Sequence, residues 1–364
     1  MVTPSNQVKP PQMEAIPVHL PHWRHRVYAI LGLSLVCLAV MAFATTVGSV
    51  HIPFLTTVNV LLSKLSFVKI TPAWPEATET IILAMRLPRV ILAGLVGAAL
   101  SLAGATYQGL FRNPLADPYL IGVAQGAALG AVIGFVLPLH GQEIGFGITP
   151  LLAFAGAVLS VSVVYMLARV GKTLPTTTLI LAGVALGALL GSVVSYLIIT
   201  SGDAAQGIIF WLMGSFSLSS WGEVRVVLPY VVAGTTITLL YGRSLNVMQL
   251  DEEQAHQLGI NVEKVKLILL AAATLITAAA VSFVGTIGFV GIIIPHIVRL
   301  MWGPDHRLLL PMSVLTGAIF MVVTDLVSRT ILAPAEVPVG IITAFCGVPF
   351  FLYLLRRKKM SVFF

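Results

Sequence analysis

The chain has 364 residues, of which 57% are hydrophobic and 10% charged, and its mean hydropathy is +0.98. Soluble domains carry about 25% charged residues, so water is excluded as the main solvent and the surplus apolar surface must face lipid. The net charge of +7 does not point to nucleic acid, because most Lys and Arg residues stand at the ends of apolar runs, where they set membrane topology.

Residues 1–22 are proline-rich and lack periodicity, and are expected to form a disordered cytoplasmic tail. Residues 23–364 then read as one all-α polytopic membrane domain of about ten transmembrane helices. Spans are predicted at 28–47, 90–110, 119–137, 149–168, 177–199, 222–241, 266–284, 287–301, 308–328 and 338–355. The first ends near Ala42-Phe43-Ala44, which imitates a signal-peptide cleavage site. It is read as a retained span, since its removal would leave an odd number of spans.

With both termini cytoplasmic, Arg24, Arg26, Arg112, Arg169, Lys172, Arg243, Lys264, Lys266, Arg299, Arg307 and the basic residues 356–359 fall on the inner side. That distribution satisfies the positive-inside rule. The outer side receives Lys64, Lys69, Arg86, Arg89, Arg225 and Arg329, and the last four lie close to membrane ends.

Glycines recur at every fourth residue at Gly122, Gly126, Gly130 and Gly134, and again at Gly183, Gly187 and Gly191. Such stripes permit close helix packing in lipid or line a pathway. Thr176, Thr177 and Thr178 follow Pro175 at the start of the fifth span, where hydroxyls cap a helix or narrow a pore mouth.

The segment 242–264 is the longest internal polar stretch. It places Asp251, Glu252, Glu253, Gln254, His256 and Gln257 around Leu250, Ala255 and Leu258, as one or two short amphipathic helices. Its acidic run disfavours anionic lipid and favours a protein groove, with a plain solvated loop as the alternative.

Ionisable residues are scarce within the spans. Asp325 lies four residues before Arg329, one helical turn apart, which reads as an ion pair rather than a proton relay. His296 and Arg299 form a helix-end cluster. Cys37 and Cys346 read as packed free thiols, and no metal site is expected. No Walker A loop, dinucleotide turn, HExxH helix or GxSxG elbow occurs, so any fuel is hydrolysed by another chain.

From about residue 30 onward the sequence resembles the FecCD-type permeases that import iron siderophores, haem and cobalamin. The resemblance is carried by RLPR at 86–89, GATYQGLFRNPLADPYLIGVAQGAALG at 104–130 and FWLMGSFSLSSW at 210–221. It continues in LNVMQLDEEQAHQLGINV at 245–262, GTIGFVGIIIPHIVRLMWGPDHRLLLP at 285–311 and EVPVGIITAFCGVPFFLYLLRR at 336–357.

The resemblance implies a type II ABC importer in the plasma or inner membrane. Such an importer holds two permease copies, identical or homologous, two cytoplasmic ATPase subunits that bind ATP and magnesium, and an external substrate-binding protein. No cofactor is expected on this chain itself. The resemblance implies docking of the binding protein on Arg86, Arg89 and Arg329. It places a cytoplasmic gate at Asn113, Leu115, Thr176 and Thr177, and ATPase coupling through Leu250, Asp251, Glu252, Glu253, Ala255, Leu258 and Gly259. Asp251 and His256 depart from the family pattern, which has glycine and a small residue there. Gly183, Gly187 and Gly191 remain packing or pathway positions. An ion-coupled secondary transporter is the alternative reading, and it needs an ionisable coupling site inside the spans.

Overall fold

The computed structural model describes residues 23–48, 50, 52–64, 71, 73–137 and 147–362. The expected tail 1–22 and Lys69 lie outside the described residues, as do the side chains of Glu252 and residues 357–359. The described chain is helical: α1 (Trp23–Thr46), α2 (Phe54–Ser63), α3 (Glu76–Thr80), α4 (Leu87–Leu110), α5 (Val123–Val136), α6 (Thr149–Ala168), α7 (Thr176–Thr200), α8 (Ala204–Leu212), α9 (Trp221–Leu240), α10 (Gly242–Met248), α11 (Glu252–Gln257), α12 (Val262–Val284), α13 (Val290–Trp302), α14 (His306–Ser328) and α15 (Val339–Val362).

Seven helical segments are long and apolar enough to cross a membrane, and the shorter apolar helices α5, α13 and the apolar part of α15 complete ten. All ten predicted spans therefore correspond to helices. The second is longer than predicted: α3, a π-helical turn over Ile81–Arg86 and α4 run together as one 35-residue helical element, Glu76–Leu110. The seventh also starts earlier, at Val262, and brings Lys266 inside the bundle, where it is 5% exposed. Its ammonium donates to the Leu174 carbonyl at 3.3 Å. Helices α2 and α8 were not predicted; each is too short to span and merges with the loops in a hydropathy reading.

Helix α4 is the axis of the packing, 24 residues with one contiguous buried stretch from Val96 to Leu110. It is flanked by α14, α12, α13 and α9. Small residues set these contacts, because without a hydrophobic drive in lipid the backbones must approach closely to gain dispersion energy. A methyl group at Gly97 would strike the Gly317 carbonyl of α14, and one at Gly104 the Gly291 carbonyl of α13. The first predicted glycine stripe packs in the same way: Gly126 and Gly130 abut Gly156 and Leu152 of α6.

Helices α5 and α13 have 14 and 13 residues, about 20 Å at 1.5 Å per residue, short of a hydrocarbon core about 30 Å thick. Non-helical backbone therefore enters the bundle at their starts and needs internal partners. The Tyr119 hydroxyl supplies two of them, donating to the Ile287 carbonyl and accepting from the Ile287 amide, both at 3.0 Å. Gln108 Nε2 donates to the Gly291 carbonyl at 3.0 Å. Thr286 Oγ1 donates to the Leu212 carbonyl at 2.6 Å.

Candidate functional site

Two ends of the bundle carry the predicted site residues. At the end holding Arg86, the π-helical turn delivers Arg86 to the C-terminus of α1, where it donates to the carbonyls of Thr46 at 2.6 Å and Thr45 at 3.4 Å. Carbonyls at a helix end are unpaired and carry partial negative charge, so a guanidinium satisfies both needs. Gly48 leaves room for this, since a methyl group there would lie 2.7 Å from Arg86 Nη2. Arg329 reaches the same helix end through Nη2, which donates to the Ala44 carbonyl at 2.7 Å.

Asp325 is fully buried and sits between two arginines. Arg89 Nη2 donates to its Oδ1 at 2.8 Å, and Arg329 Nε pairs with its Oδ2 at 3.6 Å, one turn away. The predicted Asp325–Arg329 ion pair is present, with Arg89 added to it. Arg89 also grips Glu336 in a two-pronged contact, Nη1 to Oε1 at 2.7 Å and Nη2 to Oε2 at 3.0 Å. Burial pushes the Glu336 carboxyl up, but hydrogen bonds from Arg89 and from Ser217 Oγ at 2.6 Å outweigh it and hold it below its ordinary range.

The three arginines are therefore turned inward: Arg86 and Arg329 are 6% and 7% exposed, and the Arg89 side chain is 11% exposed. Sequence reasoning placed their charge at this end and paired Arg329 with Asp325, but missed Glu336, the α1 carbonyls and the contact of Arg89 with Asp325.

At the opposite end, α4 leads into a turn at Phe111–Asp117. Arg112 adopts a left-handed backbone with φ 49°. Asn113 Oδ1 accepts from the Leu115 amide at 3.0 Å, an Asx turn, and Leu115 is exposed. Thr176 and Thr177 open α7 behind Pro175. Thr176 lines a narrow cleft with Leu110 and Phe111, at the start of that turn, whereas Asn113, Leu115 and Thr177 are not among its lining residues. The capping reading of these threonines fails, because Pro175 occupies the N-cap without a side-chain bond. Thr178 Oγ1 instead donates to the Ala168 carbonyl at 3.0 Å and ties α7 to α6.

The predicted amphipathic segment forms α10 and α11 beside this turn. Leu245, Met248 and Ala255 point into the bundle, while Leu250 and Leu258 are 63% and 65% exposed. Asp251 and Glu253 are exposed beside them, and Gly259 ends the segment with φ 82°, a left-handed C-terminal stop. Arg112 Nη1 meets Asp251 Oδ1 at 3.4 Å, joining the segment to the turn after α4. Gln249 Nε2 donates to the Gly109 carbonyl at 2.8 Å, and Asn246 Nδ2 donates to Asp305 at 2.6 Å. Burial raises the Asp305 carboxyl, but Asn246, the Arg307 amide and Arg26 together hold it below its usual range. Arg26 of α1 completes that link at 2.7 Å.

Gly183 packs on the backbone at Leu120 and Ile121, Gly187 meets only Gln125, and Gly191 faces open space. The second stripe thus divides along its length: packing at one end, an unoccupied face at the other.

A cavity of about 670 Å³, open at the surface of the chain, is lined by Leu212, Met213, Phe289, Gly340, Phe345 and Val348 among others, with Phe345 77% exposed. The sequence reading assigned it no role, although its walls come from three of the motif segments. Phe289 holds φ 69°, rare for a bulky residue, and its ring lies against Gly347, where any methyl group would displace it. Among the described residues no cluster of His, Cys, Asp and Glu could hold a metal ion.

The FecCD transport family matches residues 35–357. The chain is 49% identical to the cobalamin import system permease protein BtuC of Halobacterium salinarum over 286 residues, covering 79% of this chain and 76% of the relative. It is 37% identical to the hemin transport system permease protein HmuU of Yersinia pestis, covering 91% and 96%. A solved inward-facing conformation of a metal-chelate type ABC transporter superposes with a TM-score of 0.77 at 31% identity, covering 91% of this chain and 99% of that one. The chain is a multi-pass membrane protein and belongs to the FecCD transport family.

Proposed function

We propose that this chain is the permease subunit of a binding-protein-dependent ABC importer, pairing with a second copy or a homologous permease. It carries a cobalamin, haem or iron-chelate cargo inward, using ATP hydrolysed by a separate subunit. The observation that carries the coupling half of this reading is the segment from α10 to α11. It presents two apolar knobs, Leu250 and Leu258, within an acidic surround, and its other face is locked to α4 and α14. Apolar anchors with a polar rim are how short helices seat in a partner's groove. Under this reading that end is cytoplasmic and the Arg86 end is external.

A second copy is supported by the unpacked faces of α7 and α15. Leu181, Tyr196 and Ile199 are 67%, 66% and 83% exposed, and Phe345 is 77% exposed. Cobalamin is the first cargo to test, given the 49% identical relative named for it. The ion-coupled alternative draws little support from Asp325, which is neutralised by Arg89 and Arg329.

The test replaces Leu250 and Leu258 together with Ala in the purified permease and measures its association with its ATPase. Loss of two buried Leu anchors weakens binding by about tenfold or more. Unchanged association, with the fold intact, contradicts the coupling role.

A further inference from the structure

Arg86 and Arg329 are committed to the carbonyl end of α1, and Asp325 is sealed beneath Arg89. Among the described residues, Arg89 alone of the three has a carboxylate partner within reach of solvent: Glu336, whose side chain is 34% exposed; the further partner of Arg86 is a backbone carbonyl, that of Val50. Glu336 also opens a short connection with a second role. It is clamped to the 213–217 stretch by Ser217 Oγ, and three residues later the Val339 and Gly340 amides donate to the carbonyls of Gly214 at 2.9 Å and Met213 at 3.0 Å. Met213 and Gly340 line the 670 Å³ cavity, together with Phe345 of α15. One ion pair at the surface is therefore three residues from the start of a cavity-lining helix.

We propose that Glu336 is an internal stand-in for a carboxylate of the docking protein. On docking, an acidic side chain of that protein takes its place on Arg89, and the 336–340 segment, left with only its bonds to Ser217, Ser328, Gly214 and Met213, loosens at the start of α15 beside the cavity. This rests on the importer reading above and assigns the docking interaction to Arg89. The exchange keeps Arg89 neutralised throughout, so the buried guanidinium never faces the cost of an unpaired charge. Carboxylate replaces carboxylate in the same fork geometry, which a guanidinium holds in two prongs. It also explains how inward-turned arginines take part in docking: the site is closed by its own ligand until a competitor arrives.

The experiment uses the full transporter in lipid nanodiscs, with its own substrate-binding protein as the probe. Glu336→Gln removes the internal competitor's charge, so affinity for the binding protein rises about threefold or more. Hydrogen–deuterium exchange of the Val339 and Gly340 amides, which hold the start of α15, also becomes faster without the binding protein. Arg89→Lys keeps a charge beside Asp325 but loses the fork, so affinity falls, and adding Glu336→Gln to it restores nothing. Unchanged or weaker affinity in Glu336→Gln, with a fall in Arg89→Lys, overturns the exchange and leaves docking at Arg89 standing. No change in either variant overturns docking at Arg89 itself. Higher affinity with unchanged exchange at Val339 and Gly340 overturns the loosening of α15.

Discussion

Asp325 carries two guanidiniums on one carboxylate in a place with no solvent. Breaking a buried ionic group by removing one partner leaves an uncompensated charge, a larger loss than the net worth of the pair. Asp325→Asn keeps the shape and removes the charge, so thermal unfolding should show a loss of about 3 kcal/mol, with transport lost in proportion to folded protein. Full stability with abolished transport would instead mark Asp325 as a coupling residue. Half of this cluster was legible in the sequence, because residues four apart share a helix face. The other half was not: Arg89 stands 236 positions from Asp325 and 247 from Glu336, a pairing that only the packing of α4 against α14 creates.

Among the elements, the apolar segments were legible because hydropathy is a local sum, and ten expected spans have ten helical counterparts. What a local sum does not reveal is where a helix stops inside the membrane. The starts of α5 and α13 depend on Tyr119 meeting Ile287 and on Gln108 meeting Gly291, contacts between segments more than 160 positions apart. Glycine spacing likewise marks a stripe without saying what covers it. Gly104 is pressed on the Gly291 carbonyl, whereas a methyl group at Gly187 fits at 3.5 Å from Gln125 Cγ. Gly104→Ala should therefore destabilise the fold by about 2 kcal/mol. Gly187→Ala should leave the melting temperature of the isolated subunit within a degree or two, since replacing a helical Gly by Ala is favourable by about 1 kcal/mol in itself. Equal melting temperatures for both variants would refute the difference in packing.

For the molecule as a whole, each end is tied into the bundle by its own set of contacts. The Arg89–Glu336 contact leads through the 336–340 segment to α15 and the cavity, while α10 and α11 are held to α4, α14 and, through Arg112, to the turn carrying Asn113 and Leu115. The sequence resemblance pointed to the residues at both ends. The cavity and the inward orientation of the arginines required three-dimensional structure, since both arise from segments far apart in the chain. The most direct test of the account is cargo uptake into sealed vesicles containing this permease, its ATPase and its binding protein, with ion gradients clamped to zero. Uptake that requires ATP, the ATPase and the binding protein together is the predicted result; uptake driven by an imposed ion gradient without ATP would contradict it.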